Sequence, residues 1–149
     1  MVRRYISRAI LPLAAVVAFA AQSAPPAAAS DREAASFGLC SGPERVTCVV
    51  DGDTFWYRGE KIRIADINAP EVSHPACAHE AVLGAQATTQ LVVLLNRGSF
   101  TLEPIDRNRD RYGRLLRTVT RGGASVGEEL VREGLAEQWK GYRGNWCLG

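Results

Sequence analysis

Between Arg45 and Ile67 the chain reads RVTCVVDGDTFWYRGEKIRIADI, three β-prone runs separated by two tight turns. The first turn is built on Asp51-Gly52-Asp53 and the second on Arg58-Gly59-Glu60. Asp-Gly between apolar runs is a strong short-range hairpin signal. Connections this short leave room only for antiparallel neighbours, so three strands in meander order are expected. In the third run Arg63 alternates with Ile62 and Ile64 and therefore points to the opposite face from them. A barrel strand gains little from such an arginine unless it is paired, with Asp66, Glu71 or Glu103 as candidate partners in a purely structural role.

The loop NAPEVSHPACAHE is broken by Pro70 and Pro75 and reads as non-helical. From about His79 to Asn96 the chain has no proline and is rich in Ala and Leu, and Gly98 follows as a stop signal, so a helix packed on the sheet is expected. SFTLEPI (99–105) alternates as a strand, DRNRDRYG (106–113) reads as a charged turn, and RLLRTVT (114–120) reads as a further strand. A final helix is expected after Ser125, which stands three residues ahead of Glu128 at capping-box spacing. Val126, Leu130, Val131 and Leu135 give this helix its apolar stripe. Three strands, a helix, two strands and a helix predict an α+β fold, a small closed five-stranded β-barrel with two to three packed helices.

The first thirty residues are of another kind. Arg3, Arg4 and Arg8 precede the apolar run AILPLAAVVAFAA, and the Ala/Pro-rich QSAPPAAAS follows. This is the layout of a cleavable signal peptide over 1–29, with Ala18-Phe19-Ala20 or Ala27-Ala28-Ala29 as cleavage sites, leaving a domain over 40–149. The apolar run is too short for a spanning helix, which needs about 20 residues. A secreted or periplasmic protein is expected, with no membrane association after cleavage. The 18 Lys and Arg and 16 Asp and Glu of the whole chain become 15 against 16 once the three leading arginines are gone. A sequence-independent nucleic-acid binder usually carries a strong basic excess, so any such contact must come from a local patch or a metal.

Export fits the four cysteines, which allow three pairings in an oxidising compartment. Cys40 and Cys48 flank the Gly-Pro turn SGPERVT and are paired on that ground, leaving Cys77 with Cys147. Bridging a loop of about 70 residues contributes roughly 4 kcal/mol in the chain-entropy model. His74, Cys77 and His79 lack both a regular zinc spacing and a fourth ligand.

Four segments, VVDGDT (49–54), IRIADINAPE (62–71) running on into VSHP, DRYGR (110–114) and GEELVREGLA (127–136), together resemble the staphylococcal nuclease (thermonuclease) family over roughly residues 45–140. The resemblance implies a five-stranded OB-fold barrel and calcium-dependent hydrolysis of phosphodiester bonds in DNA or RNA. It implies Asp53 as the first calcium carboxylate, Asn68 at the position of the second, and Ala69 as a backbone-carbonyl ligand. Glu71 corresponds to the general base, Arg63 and Arg114 to the phosphate-binding arginines, and Tyr112 to an aromatic lining the nucleotide pocket. The residue types suit the chemistry. Water attacking an anionic phosphodiester builds charge on the equatorial oxygens, which a divalent ion and two guanidiniums stabilise. Arginine's planar fork binds two phosphate oxygens at once.

Asn68 departs from the family pattern, which has Asp there. Its amide oxygen still ligates calcium, but the direct side-chain ligands carry one negative charge fewer, and calcium affinity follows ligand charge. Asp66, two residues away, shares the face of Asn68 if the strand continues, and is a candidate source of the missing charge through a water. The expected function is a secreted, calcium-dependent, monomeric nuclease. The alternative is a weak or inactive OB-fold module that binds nucleic acid. Trp56, Trp139 and Trp146 each have two readings, base stacking or packing, and packing is the commoner use.

Overall fold

The computed structural model describes residues 30–148; the signal-peptide assignment over 1–29 lies outside them. The meander expected from the sequence is present as β1 (Cys48–Asp51), β2 (Thr54–Tyr57) and β3 (Glu60–Ile64). They pair antiparallel, with Phe55 opposite Ile62 and Thr54 opposite Arg63. A two-residue strand β4 (Ile67–Asn68) follows, and then α1 (Ala78–Asn96). The fourth and fifth long strands are β5 (Thr101–Arg109) and β6 (Leu115–Arg121), followed by β7 (Ala124–Ser125), α2 (Val126–Arg132) and β8 (Glu137–Gln138).

The main sheet runs β1-β2-β3-β6-β5, with β7 added to β6, while β4 pairs with β8. β3 and β6 are parallel, in the register Ile62–Leu115 and Arg63–Leu116. This sets Arg63 beside the start of β6, immediately after Arg114. The result is an OB-like α+β fold with two helices among the described residues, but the pairings do not close a five-stranded barrel. No described ladder joins β5 to β1. The segment ahead of residue 40 fills that gap, bridging Phe100 through Glu33 and Val49 through Leu39. Phe37 from this segment is buried within an aromatic cluster with Phe55, Tyr57 and Phe100, ring centroids 5.7–6.0 Å apart. Asn96 at the end of α1 pins the segment by exchanging two 2.8 Å hydrogen bonds with the backbone of Phe37.

The charged turn expected over 106–113 is much shorter. β5 continues to Arg109, and only 110–113 turn. The charges do not break the strand because its outer half is exposed and cross-strand partners take them: Arg109 pairs with Glu60 at 2.9 Å and Arg117 donates to Asn108 at 2.9 Å.

α1 buries Gly84, Ala87, Thr88, Leu91, Leu94 and Leu95, a stripe at helical spacing. Gly84 matters to the site. A Cβ there would come within 2.8 Å of the Glu71 carbonyl oxygen, so only glycine lets the Pro70-Glu71 backbone lie against the helix. α2 starts as expected, with Ser125 Oγ accepting from the Glu128 amide, and ends by Gly134, where Leu135 N donates to the Leu130 carbonyl. Leu135 therefore packs on the core from beyond the helix. Disulfides join Cys40 to Cys48 and Cys77 to Cys147. The second rules out Cys77 as a zinc ligand and ties the C-terminal segment to the start of α1. Among the described residues no helix is long and apolar enough to cross a membrane.

Candidate functional site

The tight β1–β2 turn delivers Asp51 and Asp53 to one end of the sheet, where β3 supplies Arg63 and the β4 region supplies Asn68 and Ala69. With Glu71 and Arg114 they line one small polar cavity of about 60 Å³. Of the residues that the family resemblance assigns to the site, only Tyr112 lies off this cavity. It lines the adjoining groove of about 730 Å³, which Arg63 and Arg114 also reach.

Asp53 is buried, and both of its carboxylate oxygens accept hydrogen bonds. Its Oδ1 accepts from Thr54 Oγ1 at 2.9 Å, and its Oδ2 accepts from Ala69 N at 3.0 Å. Arg63 lies 3.4 Å from the same Oδ2, so its structural partner is Asp53 rather than Asp66, Glu71 or Glu103. The Arg63 guanidinium also donates to the Ile64 carbonyl and lies under the Trp139 ring, 4.9 Å from its centroid. Trp139 is half-exposed and covers an arginine, a use closer to packing than to base stacking, with one face of the residue still lining the groove.

Glu71 sits on a loop held from below by the buried carboxylate of Glu80, which accepts from Glu71 N at 3.2 Å and Ala76 N at 2.6 Å. The Glu71 carboxylate accepts from Val72 N and Ser73 N through Oε1, and from Arg143 at 3.2 Å through Oε2. Arg114 is fixed by Asp110, whose carboxylate accepts from both its side chain (2.7 Å) and its backbone N (3.0 Å). Burial pushes the Asp110 carboxyl up, but the hydrogen bonds and charge of Arg114 outweigh it and hold it below the usual carboxylate range. Tyr112 is exposed, with the Arg111 and Arg114 guanidiniums 4.8 and 5.6 Å from its ring centroid.

Asp66 does not belong to the site. Its Oδ2 accepts from Ser125 Oγ at 2.6 Å, which directs the carboxylate toward the N-terminus of α2. The strand alternation that placed Asp66 on the face of Asn68 fails because the chain bends between β3 and β4. The additional carboxylate is Asp51, which reads in the sequence as a turn residue. Its pKa is pushed up to about 7, first by burial and then by the negative charge of Asp53 beside it.

These donors suit a hard divalent cation, although no cluster of three His, Cys, Asp or Glu side chains forms among the described residues. The available set is two carboxylates, the Asn68 amide and the Ala69 carbonyl, all oxygen. Two carboxylates crowded enough to lift the pKa of one of them are what a bound cation would relieve. The linkage has a definite sign. A carboxyl with a folded pKa near 7 and an ordinary value of 3.8 holds its proton in the folded state where the unfolded chain has lost it. Without metal, stability therefore falls as pH rises from about 4 to 7. In chelator, Asp51→Asn is expected to remove this fall and to stabilise the protein at pH 8 by up to about 4 kcal/mol. Urea unfolding at pH 5 and pH 8 checks this, and equal pH dependence in both proteins would refute it.

Two residues near the site carried no signal in the sequence. Arg143 lines both cavities, and Glu137 accepts a 3.0 Å hydrogen bond from Asn68 Nδ2. Both come from the stretch after α2, where no periodic pattern or motif points to the site.

Residues 61–146 match the family model for the staphylococcal nuclease homologue. Endonuclease YncB of Bacillus subtilis (strain 168) is 39% identical over 94 residues, 58% of this chain and 43% of that protein. The SPbeta prophage-derived endonuclease YokF of the same organism is 40% identical over 94 residues, 58% of this chain and 31% of that protein. The thermonuclease of Staphylococcus hyicus is 31% identical over 118 residues, 74% of this chain and 69% of that protein. The chain thus spans less than half the length of the two Bacillus relatives. The family match covers more than half of the chain and takes in Arg63, Asn68, Glu71 and Arg114, so this protein belongs to the staphylococcal nuclease homologue family.

Proposed function

We propose that the protein is a phosphodiester hydrolase that cleaves DNA or RNA with calcium as its metal. The observation that carries this reading is the convergence of Asp53, Arg63, Glu71 and Arg114 on one small polar cavity at the mouth of a larger groove. The relatives named as endonucleases and thermonuclease support the same reaction class.

Arg63 and Arg114 bind the scissile phosphate and stabilise charge developing on its oxygens. Each is held by a carboxylate, so neither must be ordered during the reaction. Glu71 takes the proton of the attacking water, and the Val72 and Ser73 amides orient its carboxylate. Asp53, the Asn68 side-chain oxygen and the Ala69 carbonyl would hold calcium, with Asp51 behind them. Calcium bound there supplies Lewis-acid stabilisation of the phosphate oxygens. Along the groove, Tyr112 and Trp139 offer aromatic faces to bases, and Arg107 and Arg111 offer charge to the backbone. This local patch is what a chain with 15 basic against 16 acidic residues beyond its three leading arginines requires. Two disulfides and no free cysteine among the described residues support a secreted or periplasmic setting.

The oxidised protein, assayed on single- and double-stranded DNA and on RNA, is expected to cleave in proportion to added calcium and to stop in chelator. Retained nucleic-acid binding with no cleavage from micromolar to tens of millimolar calcium would replace this reading with that of a binding module.

A further inference from the structure

β4 and β8 form a ladder of only two residue pairs, and one of those pairs is Asn68 opposite Glu137. Asn68 is buried, and its Nδ2 donates to Glu137 Oε1 at 3.0 Å. The same oxygen accepts from Gly144 N at 2.6 Å. Glu137 is thus held from both sides. A side chain at position 144 would push the Glu137 carboxylate out of this position. The Cys77–Cys147 disulfide anchors the C-terminal segment three residues further on.

We infer that Glu137 is the positioning residue for the Asn68 amide, turning its carbonyl oxygen toward the cation site and supplying from the next layer the negative charge that Asn68 lacks. The inference rests on the cation site proposed above. An ionised carboxylate only accepts hydrogen bonds, so only one of the two amide orientations is compatible with it. The NH2 group must face Glu137, and Oδ1 must face away from it. Asn68 Oδ1 accepts no hydrogen bond from the described residues, and Asn68 lines the cavity with Asp51, Asp53 and Ala69. The ligand set is therefore organised as a pair, a neutral ligand in front and its charge behind. Second-layer carboxylates of this kind orient metal ligands and raise their basicity.

The pairing makes a counterintuitive prediction. Asn68→Asp adds charge directly to the site and, on ligand charge alone, should tighten calcium binding. Opposite Glu137 it instead sets two acceptors against each other across the ladder with no proton donor between them. Calorimetric calcium titrations without nucleic acid, on the parent, N68D, E137Q and N68D/E137Q, test this as a double-mutant cycle. E137Q is expected to weaken calcium binding about tenfold, the effect of one charge removed from a partly buried site. N68D is expected to bind no tighter than the parent and, in chelator, to melt lower than it. N68D/E137Q should recover the melting temperature and bind about tenfold or more tighter than N68D, because the amide introduced by E137Q can donate to the carboxylate introduced by N68D. Additive effects, with N68D alone tightening binding and E137Q leaving it unchanged, would overturn the inference and leave the cation site standing. Absence of calcium binding in all four proteins would overturn both.

Discussion

Glu71→Gln is expected to lower the turnover of nucleic-acid cleavage by about 10²- to 10⁴-fold, the range associated with loss of a positioned general base. The substitution preserves the shape of the side chain and an oxygen that accepts from Val72 N and Ser73 N. It leaves untouched the backbone contact between Glu71 N and Glu80, and the packing of the loop on Gly84. Stability and nucleic-acid affinity should therefore stay close to those of the parent, and the loss should fall on kcat. Single-turnover cleavage under saturating enzyme separates the two. A rate within a few-fold of the parent would remove Glu71 from the chemistry. A matched drop in affinity and rate would assign it to binding instead, since interactions made only in the transition state lower kcat and not binding.

The second large effect is at Arg63, where two roles meet in one side chain. Its guanidinium balances the buried Asp53 carboxylate and donates to the Ile64 carbonyl beneath Trp139. Arg63→Ala leaves Asp53 uncompensated, and breaking a buried pair in this way destabilises by about 3–5 kcal/mol. Arg63→Lys keeps the charge but loses the planar fork that binds two phosphate oxygens. The lysine variant is expected to retain most of the stability in chelator while losing about 10²–10³ in kcat, as when one preorganised donor is removed from a developing anion. The alanine variant is expected to lose both. Thermal melts run alongside cleavage assays distinguish the roles: a lysine variant with near-parent cleavage would show that Arg63 serves Asp53 and not the phosphate.

The site is legible in the sequence wherever its residues belong to short, ordered segments. Asp53 sits in a turn whose Gly is obvious, and Arg63 stands out as a charge in an apolar strand. Glu71 and Arg114 lie in segments whose resemblance to a family can be checked residue by residue. The departures have a common cause. Strand alternation extended through 62–68 makes Asp66 a neighbour of Asn68, whereas the strand breaks after Ile64 and Asp66 turns to Ser125. The charge of the 106–113 stretch suggests a turn, although cross-strand partners on β3 and β6 let its first half stay extended. In each case the deciding contact comes from a distant part of the chain.

The order of strands and helices, the hairpin at Asp51-Gly52-Asp53, the cap at Ser125 and the types of the residues around the cavity all follow from the sequence by itself. They depend on local geometry, on side-chain period and on residue chemistry, which a short window contains. Only the tertiary structure decided that residues 33–39 bridge the gap between β5 and β1, that Asp51 rather than Asp66 joins Asp53, and that Glu137 stands behind Asn68. Asn68 and Glu137 are separated by 69 positions, and no local pattern encodes their meeting. The meeting is produced by a two-residue ladder and a disulfide, whose effects exist only once the chain has folded.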